Sequence, residues 1–259
     1  MDEMKERKIF ELPKDGVPST QKPVLACSDI NLELSGRLIL EDVGCEVYRG
    51  EVLGILGPNG AGKTSLLEVL SGRYRPQQGQ VFLNGRDIGK LPIHKRAEIG
   101  LARTYQMPVV PYALSVYDVL KAARKAFKPR LSQYMAEWAC DLVGLKVADD
   151  VPAGALYTLD RRKLLLACLL MRRPVVMLLD EPASGLINVE IDEIDIIIRL
   201  IAKELNIGVV VVEHRLELLA AIAEKVMVLN LGMKIAEGPP ETVFQNPTVQ
   251  AAYFESPTL

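Results

Sequence analysis

No apolar run in the sequence is long enough to cross a bilayer. The longest uninterrupted one, Leu164 to Met171, falls far short of the roughly 20 residues that a spanning helix needs, so the chain is expected not to cross a membrane on its own. The opening residues, Met1-Asp-Glu-Met-Lys-Glu-Arg-Lys8, are densely charged and lack the apolar core of a secretory signal, which points to the cytosolic side. Cysteine is sparse and scattered: Cys27, Cys45, Cys140 and Cys168 form no CxxC pair. That argues against a zinc site or a disulfide framework and leaves buried free thiols. An excess of positive charge is missing too. Lys and Arg number 31 against 33 Asp and Glu, a net charge of −2, so no global field favours tight nucleic-acid binding. Neither an internal repeat nor a low-complexity tract is found.

What is present is the composition of a folded chain, with 49% hydrophobic and 25% charged residues, enough for one or two closely joined domains. Residues 1–22 set Pro13, Gly16 and Pro18 among charged side chains and read as a flexible arm, leaving 23–259 for the folded domain. From Val24 short apolar runs follow one another, around Val24–Leu34, Val43–Val47, Glu51–Leu56 and Val81–Leu83, separated by turns such as Asn84-Gly85. Between Ser115 and Val143 the spacing turns helical: Val116, Val119, Leu120, Ala123 and Phe127 follow a Ser115-Val-Tyr-Asp118 start that resembles a capping box, and Gly144 supplies a stop. Beyond it a helix over Arg161–Met171, an apolar strand Val175–Leu179, a helix Asn188–Leu205 and a strand Val209–Val212 alternate. The helix after Asn188 carries Ile191, Ile194, Ile198 and Ile201 on one face. Alternation of this kind predicts an α/β fold whose parallel sheet is covered on both faces.

The chemistry starts at Gly57-Pro58-Asn59-Gly60-Ala61-Gly62-Lys63-Thr64, which fits G-x-x-x-x-G-K-[ST] between the apolar strand Val52–Leu56 and a helix beginning at Thr64. Glycines at these steps let successive amide N–H groups curl inward onto phosphate oxygens, and the new helix adds its positive end. Gly57 through Thr64, with Ser65 behind them, are therefore the expected ATP contacts. Lys63 is expected to reach the β- and γ-phosphates, and the Thr64 hydroxyl to help hold Mg2+.

Such a loop needs carboxylates, and Val175-Val-Met-Leu-Leu-Asp180-Glu181 supplies two after a buried run, expected at the end of a neighbouring strand. Asp180 is the candidate for Mg2+, and Glu181 the candidate base that polarises the attacking water. Of the two histidines, His214 alone ends a core strand, in Val-Val-Glu-His, where an imidazole reaches the γ-phosphate; His94 lies in a polar helix and is read as surface. Gln106, after the run Leu101–Tyr105, is placed to touch the metal or the water, although taken alone it reads more readily as structural than as functional.

In this order and spacing these residues resemble the ATP-binding subunit of ATP-binding cassette (ABC) transporters, over nearly the whole chain from about residue 24. The resemblance implies a P-loop NTPase of RecA-like core, with an antiparallel β subdomain, an inserted α-helical subdomain at about 107–160 and a C-terminal helical tail at about 239–259. Gly100-Leu-Ala-Arg-Thr-Tyr-Gln106, Val212-Glu-His214 and the tail from Val228 through Tyr253 look like the ATPases of importers for branched-chain amino acids and related solutes. That likeness implies integral membrane permeases, a second ATPase subunit, an extracytoplasmic solute-binding protein, a peripheral place on the cytoplasmic face of the inner membrane, and no direct nucleic acid. Two other readings stay open: a soluble ABC ATPase serving nucleic-acid or translation processes, and a nucleotide-sensing regulatory subunit.

Three places depart from the family. Its signature, Leu-Ser-Gly-Gly-Gln or a close variant, is replaced by Leu156-Tyr157-Thr158-Leu159-Asp160, putting a bulky side chain at Leu159 and a negative charge at Asp160 where a phosphate is expected. Ile187 stands where aspartate is common, and no aromatic stands near Leu34-Ser35 to stack on adenine. An asymmetric pair of ATPases is implied, with one competent and one degenerate site. Met107-Pro-Val-Val-Pro-Tyr112 reads either as a docking stretch or as a buried loop. The basic residues Lys121, Arg124, Lys125, Lys128 and Arg130 read as a solvated helix face or as a contact for anionic headgroups.

Overall fold

The computed structural model describes residues 22–106, 109–126 and 129–254. The expected N-terminal arm falls almost wholly outside the described residues, as do Met107, Pro108, Phe127, Lys128 and residues 255–259 of the expected tail.

Strands β1 (Leu25–Leu34) and β2 (Arg37–Val47) form a hairpin, because Ser35 and Gly36 both take positive φ, 51° and 76°, the geometry that matches the twist of the strands it joins. β2 begins at Arg37 and not at Val43, where the apolar run starts. An exposed Leu38 and Asp42 at φ 49° break the alternation that marks its second half. After β3 (Val52–Leu56) leaves for a second sheet, β4 (Gln78–Leu83) pairs with β1, and Asn84-Gly85 turns the chain into β5 (Arg86–Asp87). The result is a four-stranded antiparallel sheet, β2-β1-β4-β5. Across its first hairpin the Sγ atoms of Cys27 and Cys45 lie 3.5 Å apart as buried free thiols, a meeting that linear spacing does not reveal.

The second sheet adds β6 (Leu101–Arg103), β7 (Val176–Asp180), β8 (Gly208–Val212), β9 (Lys225–Asn230) and β10 (Met233–Gly238), in the order β10-β9-β3-β8-β7-β6. All are parallel except β10, which turns back along β9. β3, β7 and β8 are buried throughout, as near-continuous apolar runs require when both faces are covered. Their alternate residues feed two separate cores. Leu53, Ile55, Val176, Leu178, Val210 and Val212 pack toward the antiparallel sheet and α1 (Lys63–Ser71), while Met177, Leu179, Val209 and Val211 pack toward the helices on the other face.

Among the remaining helices, α2 (Ile93–Glu98) precedes β6, and His94 on it is exposed. α3 (Val116–Lys125) starts at Ser115, whose Oγ accepts the Asp118 amide at 3.1 Å. α4 (Gln133–Leu142) ends where Gly144 takes φ 63° and the Leu145 amide reaches back to the Cys140 carbonyl, a glycine stop with its orphan carbonyl satisfied. α5 (Thr158–Leu170) begins a turn earlier than the apolar pattern suggests, so the altered signature residues open this helix. α6 (Asn188–Lys203) buries Ile191, Ile194, Ile198 and Ile201 against the sheet. α7 (Leu216–Ile222), α8 (Pro240–Phe244) and α9 (Pro247–Phe254) complete the described chain.

Candidate active site

Because β3, β6, β7 and β8 run parallel, their C-terminal ends emerge along one edge of the sheet, where ligands of open α/β folds bind. The loop after β3 holds Gly57 at φ 157°, Gly60 at 80° and Gly62 at 101°. A β-carbon at Gly57 would lie 2.3 Å from the Leu229 carbonyl oxygen, and one at Gly62 would lie 2.7 Å from Leu40. The turn is thus clasped between β9 and β2, and only glycine fits at those steps. Lys63 Nζ donates to the carbonyls of Gly57 at 2.6 Å and Pro58 at 3.0 Å. Burial pulls its pKa down, and the negative charges of Glu181 and Asp180 oppose the shift. Asn59 and Thr64 are exposed, with Thr64 in the first turn of α1.

The acid pair is not on the strand next to the loop. β8 runs between β3 and β7, which corrects the expectation of a neighbouring strand: the order of strands in a sheet is a tertiary property that motif spacing does not carry. Asp180 is buried, its amide donates to Thr104 Oγ1 at 3.2 Å, and its Oδ2 lies 3.5 Å from Arg103 Nη2. Burial pushes its carboxyl pKa up, and Arg103 opposes the shift. Glu181 takes φ 46°, a left-handed conformation that a side chain adopts only when its surroundings impose it. Its amide is fixed on the Val212 carbonyl at 2.9 Å, its own carbonyl accepts from Arg162 at 3.1 Å, and Arg162 also binds the Ser184 carbonyl. So held, Glu181 Oε2 accepts the Gln106 side-chain amide at 2.7 Å. His214 sits past the end of β8 with its side chain 57% exposed and Nδ1 3.9 Å from Glu213.

The profile of the ABC transporter family matches residues 40–184. The chain belongs to that family, and it is an ATPase subunit of an ABC transporter. A further profile, the branched-chain amino acid ATP-binding cassette transporter, matches residues 233–254 of the cassette. Among relatives, the cassette is 32% identical over 250 residues to the high-affinity branched-chain amino acid transport ATP-binding protein BraF of Pseudomonas aeruginosa, covering 90% of this chain and 98% of BraF. It is 29% identical to LivG of Escherichia coli K12, with the same coverage. The lipopolysaccharide export ATP-binding protein LptB of Acidithiobacillus ferridurans is 33% identical over 219 residues, covering 84% of this chain and 90% of LptB. In fold, the cassette matches the ABC transporter cassette MJ1267 with a TM-score of 0.81 at 24% identity, covering 90% of this chain and 99% of that one.

Two of the candidates, Gln106 and Glu181, thus touch directly, and Lys63 shares their electrostatic surroundings. The residues Tyr157, Thr158, Leu159 and Asp160 lie at the start of α5, and no hydrogen bond or ion pair among the described residues joins them to the phosphate loop. Leu159 is half-buried against the helical core, whereas Tyr157 is 82% exposed. The bulk offered at this loop therefore comes from Tyr157 and not from Leu159.

The cassette also holds charged groups that motif reading passed over. Glu213, fully buried, accepts the Ala183 amide on Oε1 at 2.8 Å and ties the end of β8 to the turn after Glu181; its Oε2 has no hydrogen-bond partner, and burial raises its pKa. A carboxylate directly after four valines was the signal available for it. Tyr253 on α9 brings a buried hydroxyl to the Gly57 amide, with its pKa pushed up to about 12 by burial. Nothing in the spacing of the tail foretells that contact.

Proposed function

We propose that this cassette powers import of branched-chain amino acids or closely related small solutes. It does so as one of two unlike ATPase subunits, held by integral membrane permeases at the cytoplasmic face of the inner membrane and served by an extracytoplasmic solute-binding protein. The observation that carries the solute class is the match at residues 233–254, because this tail lies outside the stretch matched by the general cassette profile. The names of BraF and LivG point the same way. Among the described residues no helix is long and apolar enough to cross a membrane, in keeping with a place on permeases.

In this reading the N–H groups of Gly60 and Gly62, the start of α1 and Lys63 take the β- and γ-phosphates of ATP, with Gly57, Pro58, Asn59, Ala61 and Ser65 framing them. The donors Thr64 Oγ1 and the Asp180 carboxylate are hard oxygens, as Mg2+ prefers. Thr64 and Asp180 would hold the ion, with Gln106 offering an amide oxygen beside them. Bound there, Mg2+ would offset the negative charge that develops on the phosphate oxygens. Glu181 accepts a proton from the attacking water, Gln106 orients Glu181, and His214 turns toward the γ-phosphate.

The permease contact is assigned to an apolar groove of about 340 Å³ between α2, β6 and the end of α5, walled by Ile93, Ala97, Leu101, Tyr105 and Leu169. Tyr105 precedes Gln106 in the chain, which puts a permease loop in the groove one residue from the acid pair. Purification of the assembly from detergent-solubilised membranes is expected to yield membrane subunits and a second cassette with an intact signature. Recovery of this chain with a nucleic-acid-processing complex, or as a homodimer alone, would refute the assignment.

Inequality of the two sites is supported at the start of α5. Asp160 stands in the first turn of this helix and offsets the positive end that an anion would meet, and Tyr157 caps it without a side-chain hydrogen bond. Ile187 and Val189, at the start of α6, are exposed apolar residues that suit a partner subunit. Replacing Tyr157–Asp160 by Ser-Gly-Gly-Gln should raise the turnover of the assembled transporter about tenfold, equivalent to one recovered contact to phosphate at about 1.4 kcal/mol. A phosphate-release assay checks this; an unchanged rate would mean that the second site is not limited by its signature.

A further inference from the structure

The groove and the Asp180 carboxylate share one side chain. Arg103 lines the groove beside Tyr105 and Ser71, yet its side chain is only 5% exposed. Its Nη1 donates to Ser71 Oγ at 2.7 Å and lies 2.9 Å from Glu68 Oε2, while Nη2 donates to Glu68 Oε1 at 3.0 Å. The same Nη2 lies 3.5 Å from Asp180 Oδ2. Ser71 and Glu68 both belong to α1, the helix that opens at the phosphate loop. One guanidinium therefore joins the phosphate-loop helix, the short edge strand β6 and the carboxylate at the end of β7. The face of that guanidinium is covered by the Tyr105 ring, 4.7 Å from Arg103 Cζ to the centroid. Tyr105 is itself 42% exposed.

These contacts differ in firmness, and the difference gives them a direction. Arg103 is anchored on α1 by its closest bonds and reaches Asp180 by the longest, so a small turn of the guanidinium changes the Asp180 contact first. Arg103 and Tyr105 both line the groove, and the exposed Tyr105 ring stands over the face of the guanidinium. A planar fork held under an aromatic ring keeps its orientation as long as the ring stays in place. We propose that Tyr105 and Arg103 form a relay from the groove to Asp180, so that occupancy of the groove sets the position of the carboxylate that meets the metal. The relay rests on the groove and Asp180 assignments made above and runs beside the Gln106–Glu181 contact. Arg103 is a positioning residue in it, acting through Asp180.

The test compares wild type, Arg103→Lys and Tyr105→Ala, with Tyr105→Phe as the conservative variant. Binding of a non-hydrolysable ATP analogue is measured by calorimetry with Mg2+ and in EDTA, on the free full-length chain and on the detergent-solubilised assembly. Arg103→Lys keeps the charge but not the fork, and should raise the Mg2+ concentration for half-maximal binding about tenfold while the affinity in EDTA stays within twofold. Wild type should differ in its Mg2+ requirement between free and assembled states. Tyr105→Ala should abolish that difference and Tyr105→Phe restore it, as a coupling free energy between two sites requires.

Equal losses of affinity with Mg2+ and in EDTA would make Arg103 a plain staple of the phosphate-loop helix and overturn the proposal, as would an unchanged Mg2+ requirement. Persistence of the free-against-assembled difference in Tyr105→Ala, or loss of permease subunits from that variant, would overturn the relay as well. If the wild-type chain proves to have no membrane partner, the importer assignment fails by itself. The free-chain titrations of Arg103→Lys still decide whether Arg103 positions Asp180.

Discussion

Replacing Glu181 by Gln is expected to lower steady-state ATP hydrolysis by the assembled transporter about 10²- to 10⁴-fold, the range associated with loss of a general base. The substitution is close to isosteric, and the features that place residue 181 are backbone ones: its positive φ, its amide on Val212 and its carbonyl under Arg162. The side-chain contact from Gln106 can be kept by an amide acceptor. Fold and nucleotide binding should therefore survive, leaving a complex that takes up ATP and releases little phosphate. Phosphate release with nucleotide retention measured in parallel checks both halves. Retention of most of the turnover would show that the working site of the pair is built on the other subunit's acid.

The second large effect is expected at Lys63. Its ammonium gives two hydrogen bonds to the loop's own carbonyls and stands where burial disfavours charge. Lys63→Ala removes a charged donor that ATP rewards, so affinity should fall by about 10- to 100-fold, the equivalent of roughly 1.5–3 kcal/mol for a hydrogen bond to a charged group. The chain without nucleotide loses little by the same change, because a costly buried ammonium disappears along with its bonds. Thermal unfolding separates the two contributions. The melting temperature without nucleotide should hardly move, whereas the rise that wild type shows on adding Mg-ATP should shrink by linkage, in step with the loss of affinity. A full nucleotide-induced rise in Lys63→Ala would mean that phosphate binds elsewhere.

Legibility in the sequence followed range. The phosphate loop was readable because its chemistry is local: glycines, lysine and hydroxyl in one run, between a strand and a helix that announce themselves by pattern. The place of Asp180 and Glu181 at the end of a core strand was readable because the two carboxylates close an apolar run of five residues. The expected RecA-like core and its antiparallel companion sheet fit the ABC cassettes that the fold matches. What stayed hidden depends on contacts between distant segments. The Cys27–Cys45 meeting needs the strand register, and the first half of β2 has an apolar pattern broken by Leu38 and Asp42. Arg103 gains its partners only when α1 packs on β6, and Tyr253 reaches Gly57 only through the fold of the tail.

The strand that separates β3 from β7 works as a ruler. Neighbouring strands stand about 4.8 Å apart, so the phosphate loop and the acid pair project from axes roughly 10 Å from one another, with the end of β8 as the floor between them. Adjacent strands would leave only about half that span between the two axes. The separation of the two segments is thus set by backbone spacing rather than by side chains, and substitutions within the loops leave it in place.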